Sequence, residues 1–455
     1  MARAKKEAAL TPEERLQAAL VPDWEWPYKL PENWCWTRHN SIMDIVGGAQ
    51  PEKAFFIREP KEGYVQLYQT RDYGENPVPV YIPQKYATKT TDEGDILLAR
   101  YGGSLGKVFR AHKGAYNVAL AKVIILYPEV VDDEFLYLYY YSHFYQDFCI
   151  KAGYGRSAQA GFNKSDLNEL LFPLPPFIEQ QRIVDRIESL FSKLDEAKEK
   201  AQAVVDSFET RKAAILHKAF TGELTAKWRE EHGVGMDSWE KKSVGELCIS
   251  LKYGTAKKSD ASGNVVVLRM GNLRQGEIDW SDLAYSNDSD DIEKYKLFSG
   301  DVLFNRTNSA ALVGKTAIYR GEHPAIYAGY LIKLDYDHDK IIGDYLNYAL
   351  NTLDAKKYCN SVKTDGVNQS NINAKKIGAY SFNVPSIPEQ EKIVSVIQKL
   401  LSKEQQAKEA AEAVLDQIDL MKKSILARAF RGELGTNDPS DESAVELLKE
   451  IIRRG

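Results

Sequence analysis

Several short loops of this 455-residue sequence carry side chains that can recognise nucleic acid. Arginine can form paired hydrogen bonds with guanine, and asparagine or glutamine with adenine, while lysine and serine can hold phosphates. Any single residue here is equally consistent with an ordinary solvated turn, so the pattern matters only because both halves of the chain repeat it. The candidate DNA-contacting residues are Gln69, Arg71, Arg100, Tyr101, Ser104, Lys107, Arg156, Gln159, Asn163, Arg269, Asn272, Asn305, Arg306, Asn308, Lys315, Lys363, Asn368 and Gln369.

Other chemistry has weaker support in the sequence. Gly314-Lys315-Thr316 resembles the end of a phosphate-binding loop, but that motif needs glycine where the chain has Ser309. Seven histidines are scattered, and no pair of cysteines has metal-ligand spacing. We therefore predict no catalytic residues and no metal site. The net charge of −5 gives no overall indication of nucleic-acid binding, which would have to depend on local basic patches.

An internal repeat organises the elements that must position these loops. The dipeptide Glu-Gln begins each of two long helical patterns, at Glu179-Gln180 and at Glu389-Gln390. The dipeptide Ala-Phe ends each pattern, at Ala219-Phe220 and at Ala429-Phe430. The two copies of each dipeptide are separated by 210 positions. A repeat of this length predicts two copies of one structural unit. Cys149 and Cys359 differ by the same 210 positions, so we expect matching core sites.

Within each long pattern the apolar residues recur every three and four positions, which predicts an α-helix seeking a coiled-coil partner. Equal length and phase make each helix the simplest partner for the other. Arg211 and Glu404 interrupt the pattern once in each copy and are candidates for fixing the register. The predicted helix–helix contacts are Ile183, Ile187, Leu190, Leu194, Val204, Phe208, Ile215, Ile393, Ile397, Leu400, Val414, Ile418 and Ile425.

The predicted fold is α+β, with two similar globular domains joined by two long helices packed as an antiparallel coiled coil with pseudo-twofold symmetry. Short strand patterns separated by turns, then a helix, recur in the same order in both domains. The predicted segments are an N-terminal helix and lead-in (1–29), the first domain (30–176), a central long helix (177–222), a lead-in linker (223–237), the second domain (238–386), a second long helix (387–431) and a tail with a short helix (432–455).

The remaining expectations concern the environment of the protein. The four scattered cysteines favour reduced, buried thiols in a cytoplasmic protein. No stretch approaches the length of uncharged apolar sequence that a membrane span needs, so we predict no membrane association.

Three sets of residues resemble the specificity subunits of type I restriction–modification enzymes. They are Gly94-Asp95-Ile96-Leu97-Leu98-Ala99-Arg100 with Gly106-Lys107, the run from Asn163-Lys164-Ser165-Asp166-Leu167 to Glu179-Gln180, and Ala219-Phe220-Thr221-Gly222-Glu223-Leu224, each with its second copy. The resemblance covers nearly the whole chain up to Leu434, and the order domain–helix–domain–helix is its most specific part.

The resemblance implies a non-catalytic subunit whose two target recognition domains each read one half of an asymmetric site in double-stranded DNA. It also implies two adenine methyltransferase subunits and additional motor-nuclease subunits as partners. S-adenosylmethionine, ATP and Mg are then expected on those partners, and no cofactor on this chain. The alternative is a coiled-coil scaffold that binds proteins and not DNA. The near-neutral charge slightly favours that alternative, and a steep salt dependence of DNA binding would distinguish the two.

Overall fold

The computed structural model of the chain describes residues 11–154, 161–367 and 369–454. The chain forms two compact units, one made of Met1–Lys200 with Val414–Gly455 and the other of Ala201–Ala413. Each unit therefore contains one globular module together with parts of both long helices.

The first half of the chain contains six helices and ten strands among the described residues. The helices are α1 (Pro12–Ala19), α2 (His39–Ile42), α3 (Asp133–Tyr139), α4 (His143–Tyr154), α5 (Phe177–Asp206) and α6 (Phe208–Phe220). The strands are β1 (Cys35–Arg38), β2 (Met43–Gly47), β3 (Tyr64–Tyr68), β4 (Tyr81–Pro83), β5 (Thr90–Thr91), β6 (Ile96–Ala99), β7 (Val108–Arg110), β8 (Gly114–Tyr116), β9 (Leu120–Ile125) and β10 (Leu171–Leu174).

The second half contains eight helices and fourteen strands over its described residues. The helices are α7 (Ala226–His232), α8 (Val244–Leu247), α9 (Ser289–Tyr295), α10 (Gly343–Leu350), α11 (Leu353–Val362), α12 (Ala374–Gly378), α13 (Ile387–Ala429) and α14 (Ala444–Arg454). The strands are β11 (Glu240–Ser243), β12 (Cys248–Tyr253), β13 (Val265–Leu268), β14 (Leu273–Arg274), β15 (Glu277–Ile278), β16 (Tyr285–Ser286), β17 (Val302–Asn305), β18 (Thr307–Asn308), β19 (Thr316–Ile318), β20 (Ala325–Tyr327), β21 (Leu331–Tyr336), β22 (Thr364–Asp365), β23 (Ser370–Asn371) and β24 (Ser381–Val384).

The two modules share the strand order of the main sheet, one parallel strand pair and an entry ribbon, as the repeat predicts. The main sheet has the order β2-β9-β6-β7 in the first module and β12-β21-β17-β19 in the second, and it is antiparallel in both. A second sheet contains a parallel pair, β3 with β8 and β13 with β20. A two-stranded ribbon, β1 with β10 and β11 with β24, leads into each module and out again.

The central strand of each main sheet is buried on both faces. In β6, Ile96 and Leu98 belong to the core shared with the helices, whereas Leu97 and Ala99 face a separate core. In β17, Val302 and Phe304 belong to the helix-side core and Leu303 to the other. Each main sheet is therefore covered by helices on one side and by a second apolar layer on the other, which explains its near-continuous apolar strands.

Within each unit the two helical segments run antiparallel. In the first unit Lys422 pairs with Asp195 at 2.6 Å, and Lys198 lies 4.0 Å from Asp419. In the second unit Arg211 pairs with Glu404 at 2.5 Å. The two residues predicted to interrupt the apolar pattern are thus each other's partners.

Most predicted helix–helix residues are covered, but many of them belong to the module cores. Ile183 and Ile187 lie in the first core, and Ile393 and Ile397 in the second. Ile418 and Phe208 are buried, and six more are partly buried: Leu190, Leu194, Val204, Ile215, Leu400 and Ile425.

Val414 is an exception, because 40% of it is exposed. In that part of the helix Ala411 and Ile418 are buried and Leu415 is partly buried, so these residues lie on its packed side. This exposure favours the neighbouring residues over Val414 as contacts, because a strict 3.5-residue period drifts relative to a helix with 3.6 residues per turn.

The central helix is interrupted, contrary to the prediction of one continuous helix. Helix α5 ends at Asp206 and α6 begins at Phe208, with Ser207 between them. The Ser207 hydroxyl donates to the Ala203 carbonyl, and the Arg211 guanidinium donates to the Ser207 hydroxyl. Serine that bonds back to the preceding turn bends helices, which accounts for the break.

The repeated glutamine at the start of each long helix fixes a module to that helix. Each side chain is buried, donates to two backbone carbonyls and accepts from one backbone amide. Gln180 bonds Val130 O (2.7 Å), Pro175 O (3.0 Å) and Asp132 N (2.8 Å), and Gln390 bonds Lys340 O (3.0 Å), Pro385 O (2.9 Å) and Ile342 N (3.0 Å). Both donors and the acceptor oxygen of each buried amide therefore have partners, in the same arrangement in the two modules.

The repeated phenylalanine at the end of each long helix packs into the module of its own unit. Phe430 is fully buried against Phe135 and Tyr139, with ring centroids 5.1 and 5.6 Å away. Phe220, partly buried, lies 4.9 Å from Tyr345. The repeated residues at the ends of the long helices therefore attach each helix to a module.

Three further observations concern membrane spans, metal ligands and cysteines among the described residues. None of their helices is long and apolar enough to cross a membrane. No group of three or more of their His, Cys, Asp or Glu side chains is placed to hold a metal ion. All four cysteines are free; Cys35, Cys149 and Cys359 are buried, whereas Cys248 is partly exposed, so the expectation of four buried thiols holds for three. Cys149 and Cys359 lie beneath Gly106 and Gly314, the matching core sites that the repeat predicts.

Candidate nucleic-acid interface

The candidate site of the first module lies where the central strand β6 ends. Arg100 follows directly, and its Nε and a terminal nitrogen donate to the Val118 carbonyl at 3.3 and 3.2 Å. The guanidinium lies 4.8 Å from the ring of Tyr101, a cation–π distance. The Tyr101 hydroxyl donates to Asn163 Oδ1 at 3.1 Å. Three predicted residues are therefore brought together: Arg100, Tyr101 and Asn163.

The second module has its counterpart where β17 ends. Arg306 donates to the Gly329 carbonyl and to Asn371 Oδ1, both at 3.4 Å. Its guanidinium lies 4.7 Å from the ring of Tyr253. Sequence reasoning identified Arg306 but missed Tyr253 and Asn371, which come from distant strands.

The loops after β3 and β13 hold other predicted residues. In the first, the Asp72 carboxylate accepts from the Gln69 backbone amide, while Arg71 is exposed. The Gln69 side-chain nitrogen is buried without a partner among the described residues. In the second, Arg269 takes the equivalent place and forms an ion pair with Asp282 at 3.0 Å. Different side chains thus occupy the same position in the two modules.

Two predicted residues are buried and support the backbone, so their prediction as DNA contacts was wrong. Asn272 is 3% exposed and donates to the carbonyls of Asp279 and Asp282. Asn305 is fully buried, and its Oδ1 accepts from the Thr307 amide. Short amide side chains bond to nearby backbone as readily as to bases, which explains why the sequence pattern misled.

Lys107 and Lys315 occupy equivalent positions in the repeat and each borders a cavity between its module and the helices. The cavity beside Lys107 has a volume of about 700 Å³ and is also lined by Tyr141 and Phe191. The cavity beside Lys315 has about 580 Å³ and is lined by Lys212 and Arg274 as well. Burial, and secondly Arg274, lowers the pKa of Lys315.

The other predicted residues lie in separate loops. Ser104, Asn308 and Lys363 are partly exposed, and Gln369 is exposed. Lys363 lies 3.4 Å from Asp365, and Asn308 Oδ1 accepts from the Ser309 amide. Arg156, Gln159 and Asn368 lie outside the described residues.

The structure also corrects one pairing between the modules, because the sequence pattern alone matches Asn163 of Gln159-Ala160-Gly161-Phe162-Asn163 with Asn368 of Gly366-Val367-Asn368. The Arg100 carbonyl accepts from Phe162 N, and the Arg306 carbonyl accepts from Ile372 N. The residue matching Asn163 is therefore Asn373, not Asn368. The constant offset of 210 positions already contained this information. Both Asn163 and Asn373 begin a helical turn at the exit of their module.

Comparison with known proteins agrees with this architecture. The pattern of the type I restriction modification DNA specificity domain matches residues 31–205 and again residues 236–413. The chain is 26% identical over 455 residues to the EcoKI specificity subunit of Escherichia coli K12, covering 93% of this chain and 96% of that protein. It is 25% identical over 435 residues to the StySPI specificity subunit of Salmonella potsdam, covering 89% and 90%.

Solved structures show the same fold. The HsdS subunit from Thermoanaerobacter tengcongensis aligns with a TM-score of 0.60 at 19% identity, over 90% of this chain and 99% of that one. A chain from a study of assembly and conformational transition in the type I R-M system aligns with a TM-score of 0.67 at 19% identity, over 90% and 100%. Because the family pattern covers most of the chain and occurs once in each module, this protein belongs to the type I restriction–modification DNA specificity family.

Proposed function

We propose that the chain selects the DNA sequence on which a type I restriction–modification system acts, and that each module reads one half of a two-part site. The supporting observation is that both modules present polar loops at equivalent strand ends but fill them with different side chains, such as Gln69 against Arg269. One frame with two sets of reading residues suits a site whose halves differ.

The chain itself supplies recognition, and chemistry belongs to partners. Two adenine methyltransferase subunits would dock on it, and motor-nuclease subunits would complete a restriction enzyme. S-adenosylmethionine, ATP and Mg would then be bound by those partners. The paired helices would act as a ruler that sets the gap between half-sites, near one helical turn of DNA, roughly 34 Å.

A duplication of one module tests the proposal. In the variant, residues 238–386 are replaced by a second copy of residues 30–176, and methylated sites are mapped in cells that contain the partner methyltransferase. Under the predicted pseudo-twofold symmetry, this variant should read two copies of one half-site as an inverted repeat. Retention of the original asymmetric site by this variant would refute the assignment of one module to one half.

A spacer variant tests the ruler separately. Insertion of one heptad into each long helix should lengthen the required gap while leaving both half-sites unchanged. An unchanged gap would refute the ruler.

The competing hypothesis, a scaffold that binds only proteins, predicts no sequence-specific DNA binding and no steep loss of DNA affinity with salt.

A further inference from the structure

One arginine is common to both modules, although the surrounding loops differ. We propose that Arg100 and Arg306 bind phosphates of the DNA backbone and hold each module on its half-site irrespective of base sequence. This inference rests on the proposed function and assigns these two residues a different task from that of the loop residues that vary.

The two arginines occupy the same place in the fold. The amide of Arg100 donates to the Ala119 carbonyl and that of Arg306 to the Tyr330 carbonyl, both at 3.0 Å. Each arginine follows the central strand of a sheet with the same strand order. Each side chain also reaches the carbonyl one residue earlier than its amide does, that of Val118 or Gly329.

Each guanidinium rests on a tyrosine, but the two tyrosines come from different strands. Tyr101 is the next residue in the chain, whereas Tyr253 ends β12. The residue of the first module that pairs as Tyr253 does is Gly47, at the end of β2. A side chain there would displace the guanidinium from its position, because a Cβ on Gly47 would lie 2.8 Å from a terminal nitrogen of Arg100.

The first module therefore has Gly47 at the position of Tyr253. The second module has Thr307 at the position of Tyr101. The two substitutions compensate, and the stacked arginine is retained. A retained geometry built from different residues indicates a retained task.

The charge of these arginines is not neutralised within the protein. Neither forms an ion pair with a carboxylate among the described residues, whereas Arg110 and Arg320 each pair with two. Both arginine residues are partly exposed, and the buried Nε of Arg306 has no hydrogen-bond partner among the described residues. Arg100 uses its side chain on one carbonyl, so several of its five donors remain available.

A planar cation with free donors is suited to an anion that offers several oxygens, such as a phosphate. Guanine is also a partner for arginine, but two modules that read different bases have no reason to share it. Phosphate is the part of DNA that is the same at both half-sites.

The test uses the full chain, with its methyltransferase partner where the two co-purify, and a duplex that contains the mapped site. Arg100→Ala and Arg306→Ala should each weaken binding about tenfold, because a hydrogen-bonded ion pair is lost. Each should also reduce the slope of log affinity against log salt by about 1 and leave the preferred sequence unchanged. Arg100→Gln and Arg306→Gln, which keep a donor for the carbonyl, should behave alike and guard against misfolding.

Neutral methylphosphonates placed singly along the duplex identify the partner phosphate. One position should weaken wild-type binding about tenfold and have no further effect on Arg100→Ala, and a different position should do the same for Arg306→Ala. Arg186→Ala, which removes an exposed charge from α5, serves as the control and should leave the salt slope unchanged.

Three results would overturn the inference. A changed base preference in one half-site would make the arginine a base reader. Methylphosphonate effects that add fully to those of both variants would make its role structural. Absence of sequence-specific binding by the wild-type chain would instead defeat the proposed function and the inference with it.

Discussion

The two units differ most where the chain enters and leaves them. In the second unit, buried Glu389 bonds Thr225, Arg229 and Trp239, all from the continuous stretch that joins α6 to β11. In the first unit, the equivalent Glu179 bonds Thr436, which lies beyond the end of α13. There α14 packs on α1, and its Leu448 and Ile452 complete the core.

The comparison shows that one packing arrangement tolerates two chain connections. A module, the start of one long helix and the end of the other form the core in both units. Each helix-start glutamate accepts a hydrogen bond from a threonine hydroxyl. Thr225 lies in the linker between the two halves of the chain, whereas Thr436 lies in the C-terminal tail. The repeat therefore preserves contacts, and the connections between them are free to vary.

Truncation of the docking phenylalanines should produce the largest difference between the units. Phe430→Ala should cost the first unit about 4 kcal/mol, because the ring is fully buried, and Phe220→Ala should cost the second about 2 kcal/mol, because that ring is partly exposed. Amide hydrogen exchange in β10 and β24 reports the free energy of opening in each unit. Equal losses would mean that burial does not distinguish the two contacts.

Replacement of the buried glutamines that begin the long helices should instead affect both units alike. Gln180→Leu or Gln390→Leu leaves one buried amide and two carbonyls without partners, at a cost of about 3 kcal/mol in its own unit. The same exchange measurement applies. A loss in one unit more than twice that in the other would show that the shared geometry does not have shared energetics.

The internal repeat accounts for how much of the fold was predictable. The constant offset of 210 positions locates both long helices and the buried glutamines that begin them. The modules were located by the repeated order of their strands and helix, because loops of different length change the offset between their strands. The repeat did not predict the interruption of the central helix at Ser207. The counterpart of Ser207 is Gln417, where α13 continues unbroken. At the break Ser207 bonds to the preceding turn, and Arg211 bonds to Ser207 and to the Val204 carbonyl.

The candidate site was less predictable, for a chemical reason. Asn272 and Asn305 have the side chains expected of adenine readers, yet both are buried and bonded to backbone. An amide offers the same donors and acceptors to a loop as to a base, so residue type does not reveal which it serves. Tyr253 was missed because it approaches Arg306 only through strand pairing.

A buried histidine should make the first unit sensitive to acid. His39 lies in the core, 2.7 Å from the Tyr140 hydroxyl, while the equivalent pair in the second unit is Val244 and Leu350. Burial lowers the pKa of His39 to about 4 from an ordinary 6.5, so its neutral form is favoured in the folded state. This stability is fully present above pH 6.5 and is lost as the pH falls towards 4, by about 3 kcal/mol.

The variant His39→Val/Tyr140→Leu introduces the apolar pair of the second unit. Between pH 7 and pH 4 the wild-type first unit should lose about 3 kcal/mol more than this variant, as measured by urea unfolding at each pH. Other titrating groups are common to both proteins and cancel in the difference. Parallel pH profiles would show that His39 does not cause the acid sensitivity.

The smallest expected effect concerns the helical pair itself. Arg211 and Glu404 pair in the second unit, where the equivalent residues of the first are Met421 and Leu194. Because the two charged side chains are 31% and 26% exposed, Arg211→Met alone should cost only about 1 kcal/mol.

The double variant Arg211→Met/Glu404→Leu should recover most of that loss, since an apolar pair replaces a partly buried ion pair at little cost. A double-mutant cycle from urea unfolding isolates the coupling between the two side chains. Arg211 also donates to the Val204 carbonyl at 3.0 Å, beside the break at Ser207. If the double variant stays as unstable as Arg211→Met, the arginine stabilises the helix break more than it stabilises the pairing of the helices.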